Sequence, residues 1–188
     1  MNAELFDFLQ KRYSPVIRCM IEANGKFYRT NQTIQWQFGY KERVAIFAWC
    51  DRKTNVLTIN IASVDFAFQR NEPLQIEYFL LHEIRHIYQH FEKETYKVNP
   101  LKCNNAELAR KWLEEEMHYV PALDKANKEN AGYFKQDMEL DAYAYAFAVM
   151  KYKYGNVPYL YIPKAYEGNS EFSEIVDNWI QVFREEGL

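Results

Sequence analysis

The strongest constraint on the fold is a helical pattern that begins at Pro73 and continues to about residue 94. Pro73 suits the first turn of a helix, because its missing N–H would have no intrahelical partner there. Apolar residues then recur every three or four positions, as the core-facing side of an α-helix requires. They are Leu80, Ile84, Ile87 and Phe91. The sequence therefore predicts a long helix that packs one face on a core.

The same helix carries the segment LLHEIRHIYQH, residues 80–90, with three of the chain's four histidines. His82 and His86 lie one turn apart on one face, so two imidazoles can converge on one ion. Glu83 is rotated to the side of this pair, where it can reach a metal-bound water without coordinating the metal. We predict His82 and His86 as metal ligands and Glu83 as the catalytic base. His90 continues the row, and we expect it at the surface.

A third protein ligand has to come from elsewhere, because a catalytic zinc has three protein ligands and one open position. The extended motif H-E-x-x-H-x-x-G-x-x-H is excluded, since Gln89 and Glu92 replace its Gly and last His. The later segment QDMELDAYAYAFAVM offers three acids. We predict Glu139 as the ligand, because its long side chain shares a face with alanines, and Asp137 is the alternative. Asp141 is a candidate for orienting a ligating histidine or capping a backbone group.

The remaining segments predict one α+β domain over 1–188. Before the motif helix, β-branched and aromatic runs predict a small antiparallel sheet of about three strands. It includes a hairpin of 45–50 and 56–61 joined by a polar turn at 51–55. Further helices are predicted over 3–12, 104–120, 136–154 and 170–185.

The charge and composition of the chain limit which binding partners and which cellular compartment we expect. A net charge of −3 provides no basic surface for nucleic acid or for an anionic membrane. No segment approaches the roughly 20 apolar residues that a membrane span needs, and the first residues do not form a signal peptide. Cys19, Cys50 and Cys103 form no CxxC pair. We therefore expect buried free thiols and a cytoplasmic protein.

Three pieces of sequence together resemble the zincin superfamily. They are LTINIA before the motif helix, EYFLLHEIRH leading into it, and MELDAYAYAFA in the later helix, within roughly residues 55–150. The chain is similar to the small gluzincin-like metallopeptidases (minigluzincins), including the group related to ImmA/IrrE proteins of bacteria, phages and mobile elements. The resemblance implies Zn²⁺ held by His82, His86 and an acid of the later helix, with Glu83 as base. Arg85 stands where a small residue is common in that family.

The expected function is zinc-dependent hydrolysis of peptide bonds in a peptide or protein substrate, without nucleic-acid or membrane partners. The alternative is a catalytically silent, zincin-like metal-binding protein with a regulatory or binding role. A peptidase also needs a hydrogen-bond donor for the oxyanion of its transition state. The candidates are His118, Tyr133, Tyr143 and Tyr145.

Overall fold

The computed structural model describes residues 1–30, 33–51, 54–122, 130 and 132–188. Within these ranges it contains six α-helices and one three-stranded sheet, so the predicted α+β class is confirmed. The helices are α1 (Ala3–Ala23), α2 (Ile61–Gln69), α3 (Pro73–Val98), α4 (Ala106–Glu116), α5 (Asp137–Tyr154) and α6 (Ser170–Glu185). The strands are β1 (Gln35–Gly39), β2 (Ala48–Asp51) and β3 (Val56–Asn60).

The sheet is mixed, which corrects the prediction of an antiparallel sheet. Its order is β1-β3-β2, with β3 antiparallel to β2 and parallel to β1. The hairpin of β2 and β3 was predicted, although residues 52–53 of its turn lie outside the described residues. The central position goes to the most apolar strand, in which Leu57 and Ile59 are buried. Local patterns identify a strand but not its neighbour, so the pairing of β1 was not predictable.

The helices differ most from the prediction at the start of the chain and after the sheet. Helix α1 continues through Pro15 to Ala23 instead of ending near residue 12. Its buried residues recur every four positions, and this packing outweighs the hydrogen bond that proline removes; they are Leu9, Tyr13, Ile17 and Ile21. Helix α2 was not predicted. It begins directly after β3, so the apolar run IASV continues as a buried helix.

Asn60, the last residue of β3, joins the sheet to the loop that leads into β2. Its fully buried side chain accepts hydrogen bonds from the backbone N–H of Lys41 (3.1 Å) and of Ala62 (3.3 Å). Its amide nitrogen donates to the carbonyl oxygens of Lys41 (3.1 Å) and Ile46 (2.8 Å). The bond to Ala62 caps α2. One side chain thus holds the 40–47 loop and starts a helix.

We expect Asn60→Ala to lower the free energy of unfolding by about 2–4 kcal/mol, because it leaves buried carbonyls without a donor and removes a helix cap. Urea denaturation followed by circular dichroism measures the loss. Asn2→Ala is the control, since Asn2 caps α1 at an exposed position, and it should lose about 1 kcal/mol or less. Equal losses in the two variants would contradict the anchoring role of Asn60.

Helix α5 lies at the centre of the helical layer and packs against both α3 and α6. Its alanines are all fully buried and allow a close approach of α3, as the sequence predicted; they are Ala142, Ala144, Ala146 and Ala148. The predicted apolar face of α3 is buried at Leu80, Ile84 and Ile87. Phe91, the last residue of that face, is exposed because α3 extends beyond the hydrophobic core at this point. This packing brings the histidines of α3 opposite the first turn of α5.

Two smaller expectations concern thiols and membranes. The three cysteines, all within the described residues, form no disulfide; none of them is buried, and Cys19 is exposed on α1. No helix in the described ranges has the length and apolar character to cross a membrane.

Candidate metal centre

Helices α3 and α5 bring His82, His86 and Glu139 together at one point. The Nε2 atoms of the two histidines lie 3.1 Å apart. Oε2 of Glu139 lies 3.6 Å from Nε2 of His82 and 3.5 Å from Nε2 of His86. That oxygen is buried and accepts no hydrogen bond of good geometry from the described residues. An orphaned buried carboxylate oxygen is unfavourable, and a cation would relieve it. The three side chains can therefore hold a metal ion.

Burial and charge set the protonation of these three groups. Burial lowers the pKa of His82 to about 3, and the neighbouring His86 adds to this effect. Burial would also lower the pKa of His86, but the carboxylate of Glu139 raises it to about 9. Burial would raise the pKa of Glu139, yet the charge of His86 lowers it. The Glu139 carboxylate thus favours a positive charge on the histidine pair in the metal-free protein, and a bound cation would replace that proton.

Glu83 lies beside this group and takes no part in it. Its carboxylate accepts a hydrogen bond from the backbone N–H of Cys50 in β2. Burial raises the pKa of Glu83 to about 7, against the opposing effect of His86. A carboxylate with a pKa near neutrality can both accept and return a proton at neutral pH, as a general base must.

The raised pKa of Glu83 also predicts a pH dependence of stability in the metal-free protein. The folded-state pKa of about 7 exceeds the ordinary value of 4.5, so the folded protein binds the proton more tightly than the unfolded chain. The contribution of this proton is complete below about pH 4.5 and is lost as the pH rises to about 7. Over that range the wild type should lose about 2–3 kcal/mol relative to Glu83→Gln. Urea denaturation of both proteins at pH 5 and pH 8 with a chelator tests this, and parallel pH profiles would contradict it.

Asp137, the alternative third ligand, does not join the group. It lies exposed at the first residue of α5, where its backbone N–H donates to the Glu115 carboxylate at 2.6 Å. Two residues along a helix correspond to a rotation of about 200°, so Asp137 and Glu139 face opposite sides. His90 is half-buried at the cavity wall rather than at the surface, and it also lies outside the group.

Two of the four candidates for oxyanion stabilisation remain near the centre. Tyr133 interacts with the Glu139 carboxylate, and the ring centroid of Tyr143 lies 4.1 Å from that of His82. Both border the cavity described below. The hydroxyl of Tyr145 instead donates to the carbonyl oxygen of Phe27, and His118 is exposed. The structure therefore leaves Tyr133 and Tyr143 as candidates.

A cavity of about 1100 Å³ opens in front of the three potential ligands. Every residue from 45 to 51 borders it, so the edge strand β2 presents its backbone and not only one row of side chains. Phe47, Phe79 and Tyr161 form a stack of rings along one wall, with centroid distances of 4.5 and 6.3 Å. The cavity thus combines an apolar wall with a strand edge next to Glu83.

Arg85 and Asp141 form a buried ion pair behind the ligands that joins α3 to α5. The guanidinium donates to both carboxylate oxygens, at 2.8 and 3.1 Å. Four aromatic rings surround the guanidinium carbon at 4.4–5.7 Å; they belong to Tyr88, Trp112, Tyr145 and Trp179. Arg85 is thus a buried charge that is paired with Asp141. No local signal in the sequence shows that a charge at position 85 faces inward.

We expect Arg85→Met to destabilise the protein by about 3–5 kcal/mol, because it leaves the Asp141 carboxylate buried without its partner. The double variant Arg85→Met/Asp141→Leu should recover part of this loss, since it removes both charges. Chemical denaturation of the metal-free proteins measures both. Arg70→Met breaks the exposed pair with Glu72 and should leave the urea midpoint almost unchanged. A double variant as unstable as the single one would argue against an isolated charge as the cause.

No family model, curated protein or solved structure matches this chain. The resemblance to zincins therefore depends on the sequence motifs quoted above. Independently of it, the structure contains a buried His-His-Glu group that can hold a metal ion, next to a carboxylate with a raised pKa and a large cavity.

Proposed function

We propose that the protein is a zinc-dependent metallopeptidase with His82, His86 and Glu139 as metal ligands and Glu83 as general base. One observation carries the proposal. The Glu83 carboxylate lies beside a buried His-His-Glu group, at a cavity wall, without belonging to that group. A structural metal site needs a closed set of ligands, whereas this arrangement has three ligands and an open side.

Zinc is favoured by the size and chemistry of the ligand triangle. Bond lengths of about 2.0–2.1 Å in a tetrahedral site place ligand atoms about 3.3–3.4 Å apart. The three edges here measure 3.1, 3.5 and 3.6 Å. Calcium and magnesium prefer sets made of oxygen ligands only, and two imidazoles do not suit them.

The residues divide the chemistry of peptide hydrolysis among them. A zinc ion held by this group would supply a Lewis acid that activates water and polarises a carbonyl oxygen. Glu83 takes the proton from the attacking water and later returns it to the leaving amine. The N–H of Cys50 holds the carboxylate of Glu83 in place. Tyr133 and Tyr143 offer hydroxyl groups at the cavity for the oxyanion.

A peptide or protein substrate suits the cavity better than a compact small molecule does. An extended peptide can add to an exposed strand edge through main-chain hydrogen bonds, and β2 offers its edge along the cavity. The stacked rings of Phe47, Phe79 and Tyr161 offer an apolar wall for a side chain of such a peptide.

The test begins with the purified wild type. We expect elemental analysis to find one zinc per chain, and mass spectrometry to show cleavage in a mixture of peptides. Chelation should abolish the cleavage, and added zinc should restore it. Stoichiometric zinc without cleavage of any peptide would support the silent metal-binding protein instead. A protein that binds no zinc would overturn the proposal.

A further inference from the structure

A chain of buried hydrogen bonds leads from His86 to the Arg85–Asp141 pair. Nδ1 of His86 lies 2.7 Å from Oε1 of Gln89. Nε2 of Gln89 donates to Oδ2 of Asp141 at 2.8 Å and to the carbonyl oxygen of Met138 at 2.9 Å. Gln89 is completely buried. Its amide therefore uses both donor hydrogens and its acceptor oxygen inside the protein.

These partners permit only one orientation of the Gln89 amide. A carboxylate and a backbone carbonyl accept hydrogen bonds but cannot donate them, so the NH₂ group must face Asp141 and Met138. The amide oxygen must then face His86. Because this oxygen only accepts, Nδ1 of His86 must carry a hydrogen. In the neutral imidazole, the lone pair is then on Nε2, the atom that faces Glu139.

The Arg85–Asp141 pair prevents the donor and acceptor roles of Gln89 and Asp141 from being exchanged. Arginine only donates hydrogen bonds, and Arg85 donates to both carboxylate oxygens of Asp141. Arg85 is itself buried among the four aromatic rings. Asp141 therefore remains an acceptor, and Gln89 must continue to donate to it.

His82 has no comparable partner. Its Nδ1 is buried and makes no hydrogen bond with the described residues. The ring of His82 is held by packing against Tyr143, at a centroid distance of 4.1 Å. The two histidines are thus positioned by different means, and only the orientation of His86 depends on a polar chain.

We propose that Gln89 is a positioning residue for the metal centre, which holds His86 with its hydrogen on Nδ1 and directs Nε2 to the ion, and that Arg85 and Asp141 hold Gln89. Outer partners that fix the hydrogen of a ligating histidine raise metal affinity. The proposal rests on the metal site of the proposed function, but it does not require peptidase activity.

Gln89→Met tests this with a side chain of similar size that cannot form the hydrogen bonds. We expect its affinity for zinc, measured by competition with a chelating dye, to fall about 10–100-fold. Gln75→Met is the matched control, because Gln75 is also a buried glutamine of α3 but bonds the backbone N–H of Tyr161. Its zinc affinity should match that of the wild type. Failure of the wild type to bind zinc would refute the proposed function. Equal affinities of folded Gln89→Met and wild type would refute the positioning role alone.

A second measurement does not depend on the folding of a variant. In the zinc-loaded wild type, long-range ¹H–¹⁵N correlation spectra should show His86 with a hydrogen on Nδ1 and zinc on Nε2. Ligation through Nδ1 would overturn the proposal.

Discussion

Replacement of Glu83 by glutamine is expected to reduce peptide hydrolysis by about 10²–10⁴-fold while the zinc content stays at the wild-type level. Glutamine has nearly the same shape, and its oxygen can still accept the hydrogen bond that Cys50 donates. It cannot take a proton from water. Glu83 lies outside the ligand group, so its loss should leave zinc binding intact. The defect should therefore appear in turnover.

The measurement compares kcat and zinc content for wild type, Glu83→Gln and Glu94→Gln. Glu94 is an exposed acid of the same helix that pairs with Lys97, so Glu94→Gln removes one negative charge from α3 outside the cavity. It should keep the wild-type rate. Wild-type activity in Glu83→Gln would exclude Glu83 as the base. Loss of zinc in that variant would instead assign Glu83 to the coordination of the metal.

The local part of the site was predictable because helix geometry fixes it. His82, Glu83 and His86 lie within five residues of one helix, so their relative directions follow from its periodicity alone. The helix in turn follows from its apolar spacing and from Pro73. The acids and the alanines of α5 indicated that this helix would approach the histidines of α3. The buried alanines let α5 pack closely on α3, and this packing places Glu139 opposite the histidines.

The remainder depends on contacts between distant parts of the chain. Asp141 and Arg85 are 56 positions apart, and a charged residue ordinarily lies at the surface, so the sequence did not identify Asp141 as the partner of a buried Arg85. Gln89 served only to exclude a longer motif, because two of the three partners of its amide, Met138 and Asp141, come from α5. The parallel pairing of β1 likewise depends on β3 taking the central position. Tertiary packing decides these features, and no local pattern encodes them.

Glu139→Ala is expected to lower the affinity for zinc by more than about 100-fold, whereas Asp137→Ala should leave it unchanged. The loss of an outer hydrogen-bond partner alone costs about 10–100-fold, and Glu139 supplies one of three ligand atoms. It also provides the negative charge next to two imidazoles. Asp137 is exposed and faces away from the group.

Glu139→Gln separates the charge from the shape of this ligand. It keeps an oxygen in a side chain of the same length but removes the negative charge, so its zinc affinity should lie between those of wild type and Glu139→Ala. Competition titrations on the three variants and the wild type give this order directly. Equal losses of zinc affinity in Asp137→Ala and Glu139→Ala would mean that zinc binding depends on the total negative charge at the N-terminus of α5. Neither residue would then have to coordinate the ion. Direct coordination by Glu139 requires that zinc affinity falls only in the Glu139 variants, and that it falls further in Glu139→Ala than in Glu139→Gln.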